Sequence, residues 1–209
     1  MNTPLLHPMY FGTIAQYVVM AKATSVVFEN EDNYQKQTYR NRTYIYGANG
    51  KLLLSIPIKH IGNKGRQLYK DVRIENDFPW QSLHWKSLET AYRTSPFFEY
   101  YEDEFAHLFE KPKKFLLDFN YECMQAVYDC LQLDTSYTKT SEYIKSPEEH
   151  IDLRTLINAK KQKPYSLESY IQVFAEKQGF IPNLSILDLL FNEGTNALTY
   201  LENQSIVDD

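Results

Sequence analysis

Along the first thirty residues the spacing of apolar positions changes twice. Leu5 and Leu6 form a short apolar run, and from about Tyr10 to Ala21 apolar side chains recur at the three- and four-residue intervals of a helix. Ser25-Val26-Val27-Phe28 then reads as a buried strand that enters the acidic loop Glu29 to Asn33. Strand, helix, strand predicts a βαβ-type unit, parallel and right-handed if both strands share a sheet. Ligands of such sheets gather beyond the carboxyl ends of the strands, here residues 7–12 and 29–36.

Two strand-like runs, Thr43 to Tyr46 and Lys51 to Ile58, flank Gly47-Ala48-Asn49-Gly50 and predict a β-hairpin. Pro57 cannot donate to a ladder, so it belongs at a strand end or edge. Lys59 to Arg66 is a loop with two glycines, and Leu68 to Ile74 is expected to form a further strand. From Trp80 onward the period becomes helical. Trp80, His84, Leu88, Ala91 and Tyr92 share a face, Ser95-Pro96 ends that helix, and Phe97 to Phe109 begins another. A third helix is expected over Lys113 to Leu133. Thr135 to Pro147, rich in Ser and Thr, reads as a loop. Helices over Leu167 to Gln178 and Ile186 to Phe191 complete the pattern, with Gly194 as a cap and Asn196 to Leu201 packing behind it. The fold class is therefore α/β: a βαβ-type unit with a hairpin, followed by a mainly helical half.

The chain has 209 residues, 43% of them hydrophobic, enough for one good core. No apolar run approaches the roughly 18 to 20 residues that span a bilayer. The amino-terminal stretch lacks a basic start before its apolar positions, so no signal peptide is expected and the cytoplasm is the expected compartment. Cys123 and Cys130 lie seven apart in a helical pattern, about 10 Å along the axis. That is too far for a disulfide, and both read as core thiols. No zinc-type spacing occurs, so no metal site is expected, and no pattern identifies a cofactor.

Charge alters the picture most. Residues 36–93 carry eleven Lys and Arg against four acids, a surplus of seven in a chain whose net charge is −5, which leaves −12 for the remainder. Lys36, Arg40 and Arg42 have no carboxylate among their near neighbours in sequence, and with Asn41 they form the densest polar group in the chain. Clustered cations face an anionic ligand, a distant carboxylate or water, and Arg grips phosphate in a two-pronged way. An anion site and a solvated or ion-paired basic face both fit. The loop with His60, Lys64 and Arg66 could approach a phosphate through its glycines, or be a solvated loop; it lacks the P-loop spacing. His7 ends the first strand and could contact a ligand. His84, one turn after Trp80, could reach a site or bond within the core. The run Glu99, Glu102, Asp103 and Glu104 reads as a solvated helix face. The acidic remainder repels nucleic-acid phosphates, so a phosphorylated or nucleotide-activated small molecule is the expected partner.

Tyr34, Lys36, Asn41-Arg42, Asn49-Gly50, Pro57, Trp80, Tyr92, Pro96, Tyr170-x-Gln172-x-Phe174, Gly179-Phe180 and Pro182 to Asp188 together resemble the WbqC-like protein family of bacteria, across nearly the whole chain. The resemblance implies one domain over 1–209, with an α/β part over 1–76 and a helical part over 77–209. It also implies a place in surface-polysaccharide, O-antigen-type biosynthesis, with transfer of glycine or another amino acid to a sugar as the suggested activity. Members of that family often begin with Gln-Pro-x-Tyr-x-Pro, where this chain has His7-Pro8-Met9-Tyr10-Phe11-Gly12. The layout of strand, turn and helix is also similar to nucleotidylyltransferases of the His-x-Gly-His class, although the paired histidines are missing.

The expectation that follows is a transferase. Lys36, Arg40 and Arg42 would clamp phosphate, with Asn41, Lys64, Arg66 and His84 as further substrate contacts. His7 and Tyr10 would stand near the reacting group and His60 would come from a closing loop. The alternative is a non-catalytic module of the same pathway that binds a protein or glycan through the charge-asymmetric surface.

Overall fold

The computed structural model describes residues 3–206 except 61, 63, 64 and 161–163. Leu5 and Leu6, both fully buried, belong to strand β1 (Thr3–Leu6). Helix α1 (Ile14–Lys22) follows, started by Thr13, whose side chain accepts from the Gln16 N–H. Strand β2 (Ser25–Phe28) then returns parallel to β1, with Leu5 opposite Val27 and Leu6 opposite Phe28. The expected βαβ-type unit is therefore present.

The hairpin is present as well. β3 (Arg42–Gly47) pairs antiparallel with β4 (Gly50–Ser55), Gly47 facing Gly50 across the turn. Gly50 takes φ +99°, which a side chain would resist, and Pro57 lies just beyond β4. The helical half holds α2 (Trp80–Tyr92), α3 (Phe98–Ala106), α4 (Leu116–Leu131), the short α5 (Ala175–Gln178), α6 (Ile186–Glu193) and α7 (Ala197–Asn203).

Four segments take a form that the sequence did not lead one to expect. Ser136–Lys139, read as loop, is strand β5, parallel to β2, and His150–Asp152 is strand β6, parallel to β1. Both are short edge strands made mostly of polar residues. Backbone bonds to a buried neighbour hold them, and only Tyr137 turns a ring inward, onto Phe28, Tyr121 and Tyr128. Leu68 to Ile74 forms a 3₁₀ turn at Tyr69–Asp71 with isolated bridges on either side instead of a strand. The helix expected over Leu167 to Gln178 shrinks to α5. Gln172 is held instead by a two-way bond to Ile181, donating to its carbonyl at 3.0 Å and accepting from its N–H at 2.9 Å.

The parallel sheet has the order β5-β2-β1-β6. The chain runs outward from β1 through β2 to β5, then returns to the other side of β1 for β6. The direction reverses between β1 and β6, and such a switch point opens a crevice beyond the carboxyl ends of the strands. One buried cluster joins residues of β1, β2 and the hairpin to α1, α2, α3, α4, α6 and α7.

Candidate functional site at the carboxyl end of the sheet

The segments that leave β1, β2 and β6 bring five charged or ionisable side chains together. His7 follows β1 directly, Glu29 and Asp32 follow β2, Asp152 ends β6, and Arg154 lies two residues beyond it. Arg40 enters from the approach to the hairpin. Its guanidinium is fully buried, and Nη2 donates to Asp32 Oδ2 at 2.7 Å and to His7 Nε2 at 3.1 Å. Nη1 reaches Thr38 Oγ1 at 3.4 Å, and the guanidinium carbon stands 5.2 Å from the centre of the Tyr69 ring. Nε of Arg40 has no partner among the described residues.

Because Nε2 of His7 accepts from Arg40, the ring proton is assigned to Nδ1, which faces the Glu29 carbonyl at 3.4 Å. Burial lowers the pKa of His7, and Arg40 adds to this against the opposing pull of Asp32. The ring is thus neutral near pH 7 with an acceptor nitrogen beside a carboxylate. Burial raises the Asp32 carboxyl, but the contacts with His7 and Arg40 outweigh it and hold the group below the usual carboxylate range. The Asp32 side chain keeps 13% exposure, against 4% for His7 and none for Arg40, so solvent meets this cluster at Asp32.

Glu29 is fully buried and closes the other flank. Its carboxylate accepts from the Thr140 hydroxyl at 2.7 Å, from the Ile144 N–H at 3.0 Å and from Arg154 Nη1 at 3.4 Å. Arg154 also grips Asp152 and donates to the Ile144 carbonyl at 2.7 Å. The β5–β6 connection is thereby stapled to the end of β2. In a dinucleotide fold an acid after the second strand takes ribose hydroxyls; here Thr140 and Ile144 occupy the Glu29 carboxylate.

The amino end of α1 is occupied too. Ile14 N–H donates to the Leu184 carbonyl at 3.0 Å, Ala15 N–H to Asn183 Oδ1 at 2.8 Å, and Gln16 N–H to Thr13 Oγ1 at 3.4 Å. A helix start whose free donors are taken by its own chain has none left to cradle a phosphate. Gly12 fits this packing, since a Cβ there would lie 2.0 Å from Gln16 Oε1. Phosphate recognition at this end of the sheet therefore falls to side chains.

Of the residues singled out in the sequence, His7 and Arg40 meet at Asp32. Tyr10 and His84 pair with each other inside the core, the Tyr10 hydroxyl 2.9 Å from His84 Nδ1. Asn41 is buried and donates to the Ile56 carbonyl at 2.9 Å, bracing the base of the hairpin. Arg42 is half-buried at the start of β3, with Nε unpartnered among the described residues. Lys36, His60 and Arg66 are exposed, and none makes a side-chain bond among the described residues. Lys64 lies outside the described residues.

Backbone bonds tie the loop after β2 to the segment that leads into Tyr69. Asn33 bridges Leu68, Tyr34 N–H donates to the Gln67 carbonyl at 2.7 Å, and Tyr69 N–H donates to the Asp32 carbonyl at 2.8 Å. In sequence Arg66 immediately precedes, and Lys36 follows, the paired residues of these two loops, which frame Asp32.

Asp32, Arg154 and Asn120 were not picked out from the sequence. Asp32 sat in an acidic loop, and its signal was position after β2. Arg154 has no local signal in the sequence beyond Asp152 two residues before it. Asn120, buried on α4, donates to the Arg40 carbonyl at 2.7 Å and to the Tyr69 hydroxyl, and nothing local in the sequence marks it.

The model of the WbqC-like protein family matches residues 7–166. An uncharacterized protein of Mycobacterium tuberculosis is 25% identical over 209 residues, covering 88% of this chain and 90% of that one. No solved structure matches the chain.

Proposed function

The chain belongs to the WbqC-like protein family, and from that premise we propose that it is a transferase of bacterial surface-polysaccharide assembly, moving glycine or another amino acid from a phosphate-activated donor to a sugar. The observation that supports this reading is the His7–Asp32–Arg40 cluster beside the sheet's switch point, with a neutral imidazole, a low-pKa carboxylate and a guanidinium within 3.3 Å of one another.

In this reading Lys36 and Arg66, exposed and unpaired among the described residues, hold the donor's phosphate at the mouth. The acceptor's N–H or O–H is oriented by Asp32. As its nitrogen or oxygen attacks the acyl carbon, the acyl–phosphate bond breaks and phosphate leaves with the bonding pair. The acceptor's proton passes to His7 Nε2, which turns from Arg40 to Asp32 as its new partner. Asp32 then stabilises the imidazolium. Nucleic acid has no role in this scheme.

The test is the mass of surface glycan from the native host with and without the gene, complemented by the intact chain or by Lys36→Ala, Arg66→Ala. Loss of a substituent that only the intact chain restores is the expected result, and the mass lost identifies the group. An unchanged glycan would sink the reading. A second reading, a non-catalytic binding module of the same pathway, draws on the near-complete burial of His7 and Arg40. It is favoured if the glycan changes but His7→Gln complements fully.

A further inference from the structure

We propose that the cleft between α3, the carboxyl end of α4 and α7 binds a linear polyamine. The cleft has a volume of about 540 Å³ and lies away from the strand-end cluster. Its lining includes Tyr100, Tyr101, Glu104, Asp129 and Thr199, and no Lys, Arg or His among the described residues.

Four features favour a cationic guest. Both helices that end here carry acid where the helix dipole favours base: Asp129 stands in the last turn of α4 and Glu104 in the last turn of α3, and neither turn has a basic residue. Glu104 makes no ion pair among the described residues. Asp129 takes one bond, from Gln125 Nε2 to Oδ1 at 2.8 Å. Second, the rings of Tyr100 and Tyr101 meet at 4.8 Å and 90°, forming a corner with one face open: Tyr100 is 73% exposed. An ammonium group over such a face is attracted by the ring quadrupole. Third, Tyr101 is 4% exposed and lines the cleft, yet its hydroxyl has no hydrogen-bond partner among the described residues. The ring is fixed by burial while the hydroxyl is absent from the sealed, partnerless atoms, so it is free to accept from a guest N–H in the cleft. Fourth, a neighbouring hollow of about 240 Å³ shares Gln132 and Leu198 and adds Asp134 and Glu202, again with no basic residue among the described residues of its lining.

Two joined hollows, each with two carboxylates, match a chain that carries ammonium groups at intervals along methylene spacers. The methylenes would lie on Leu131 and Leu198. Helix ends with acids in the dipole-disfavoured position are a local cost to stability, and such costs persist at sites of function.

Titration of the full chain with spermidine by calorimetry at low salt tests the proposal, with butane-1,4-diol as the uncharged control. The expected result is saturable binding of spermidine and none of the diol. Tyr100→Ala, an exposed position where folding is not at stake, and Glu104→Gln, Asp129→Asn should each raise Kd by about tenfold or more. Glu148→Gln, Glu149→Gln removes the same charge from exposed sites elsewhere and should leave Kd unchanged. Absence of spermidine binding, or equal weakening by the two double variants, overturns the proposal; the second result would mean diffuse attraction to an acidic surface.

Discussion

The Tyr10 hydroxyl and His84 Nδ1 stand 2.9 Å apart inside the core, with Trp80 edge-on to the imidazole at 5.2 Å. Burial pulls the His84 pKa down to about 4, against a backbone contact from Ser55 that raises it. The unfolded chain takes up this proton near pH 6.5 and the folded chain only near 4. The stability linked to His84 is therefore complete above pH 6.5 and declines as pH falls from there to about 4. The loss amounts to about 3 kcal/mol at 1.4 kcal/mol per unit. His7 shifts in the same direction. Urea unfolding at pH 7.5 and 4.5 should show a steeper loss in the parent chain than in His84→Gln; parallel losses would contradict the assignment.

Asp32 compensates a guanidinium that has no exposure. Asp32→Asn leaves Arg40 buried beside a neutral amide, and removing one partner of a buried pair costs about 3–5 kcal/mol. Adding Arg40→Met to that variant should recover part of the loss. Urea midpoints of the two single variants and the double variant give the coupling directly.

The Asp188 carboxylate is fully buried, with no ion pair among the described residues. It accepts from Tyr92 at 2.7 Å, Tyr170 at 2.5 Å and Gln172 at 2.8 Å, while the Tyr92 hydroxyl itself accepts from the Tyr46 N–H at 3.0 Å. Burial raises its pKa and these donors oppose that rise. Tyr170→Phe removes one bond to a charged acceptor and should cost about 1.5–3 kcal/mol in chemical denaturation. A cost of only about 0.5–1.5 kcal/mol, the range of a bond between neutral groups, would mean that Asp188 is protonated in the folded chain.

Gly194 has φ +57°, and a Cβ there would stand 2.5 Å from the Phe97 ring. Gly179 has φ +74° with open space around it. Gly179→Ala should cost about 1 kcal/mol from backbone strain alone. Gly194→Ala adds a clash inside the α3–α6 contact and should cost clearly more, read as the larger fall in Tm.

Legibility followed the type of interaction. Leu5, Leu6 and the 25–28 run declared β1 and β2 because burial on a parallel sheet demands unbroken apolar stretches, and α2 showed its period through Trp80, His84, Leu88 and Tyr92. The edge strands β5 and β6 did not declare themselves, since their side chains are mostly exposed and their register comes from the backbone of β2 and β1. In the candidate site, His7 and Arg40 were legible as chemistry at a strand end and in a basic cluster. Their partner was not, because Asp32 is eight residues from Arg40 and twenty-five from His7.

By itself the sequence determined the α/β class, the hairpin, most helix positions, the concentration of positive charge in 36–93 and the family resemblance. These rest on local periodicity, turn chemistry and composition, which act between near neighbours in the chain. Tertiary structure decided which charges are partnered and which are free. It turned Arg40 inward to Asp32, left Lys36 and Arg66 exposed, drew Tyr10 to His84, and filled the start of α1 with Leu184 and Asn183. Those outcomes depend on groups up to about 170 residues apart, and the free energy of burying a charge or a donor is set by what the fold brings against it.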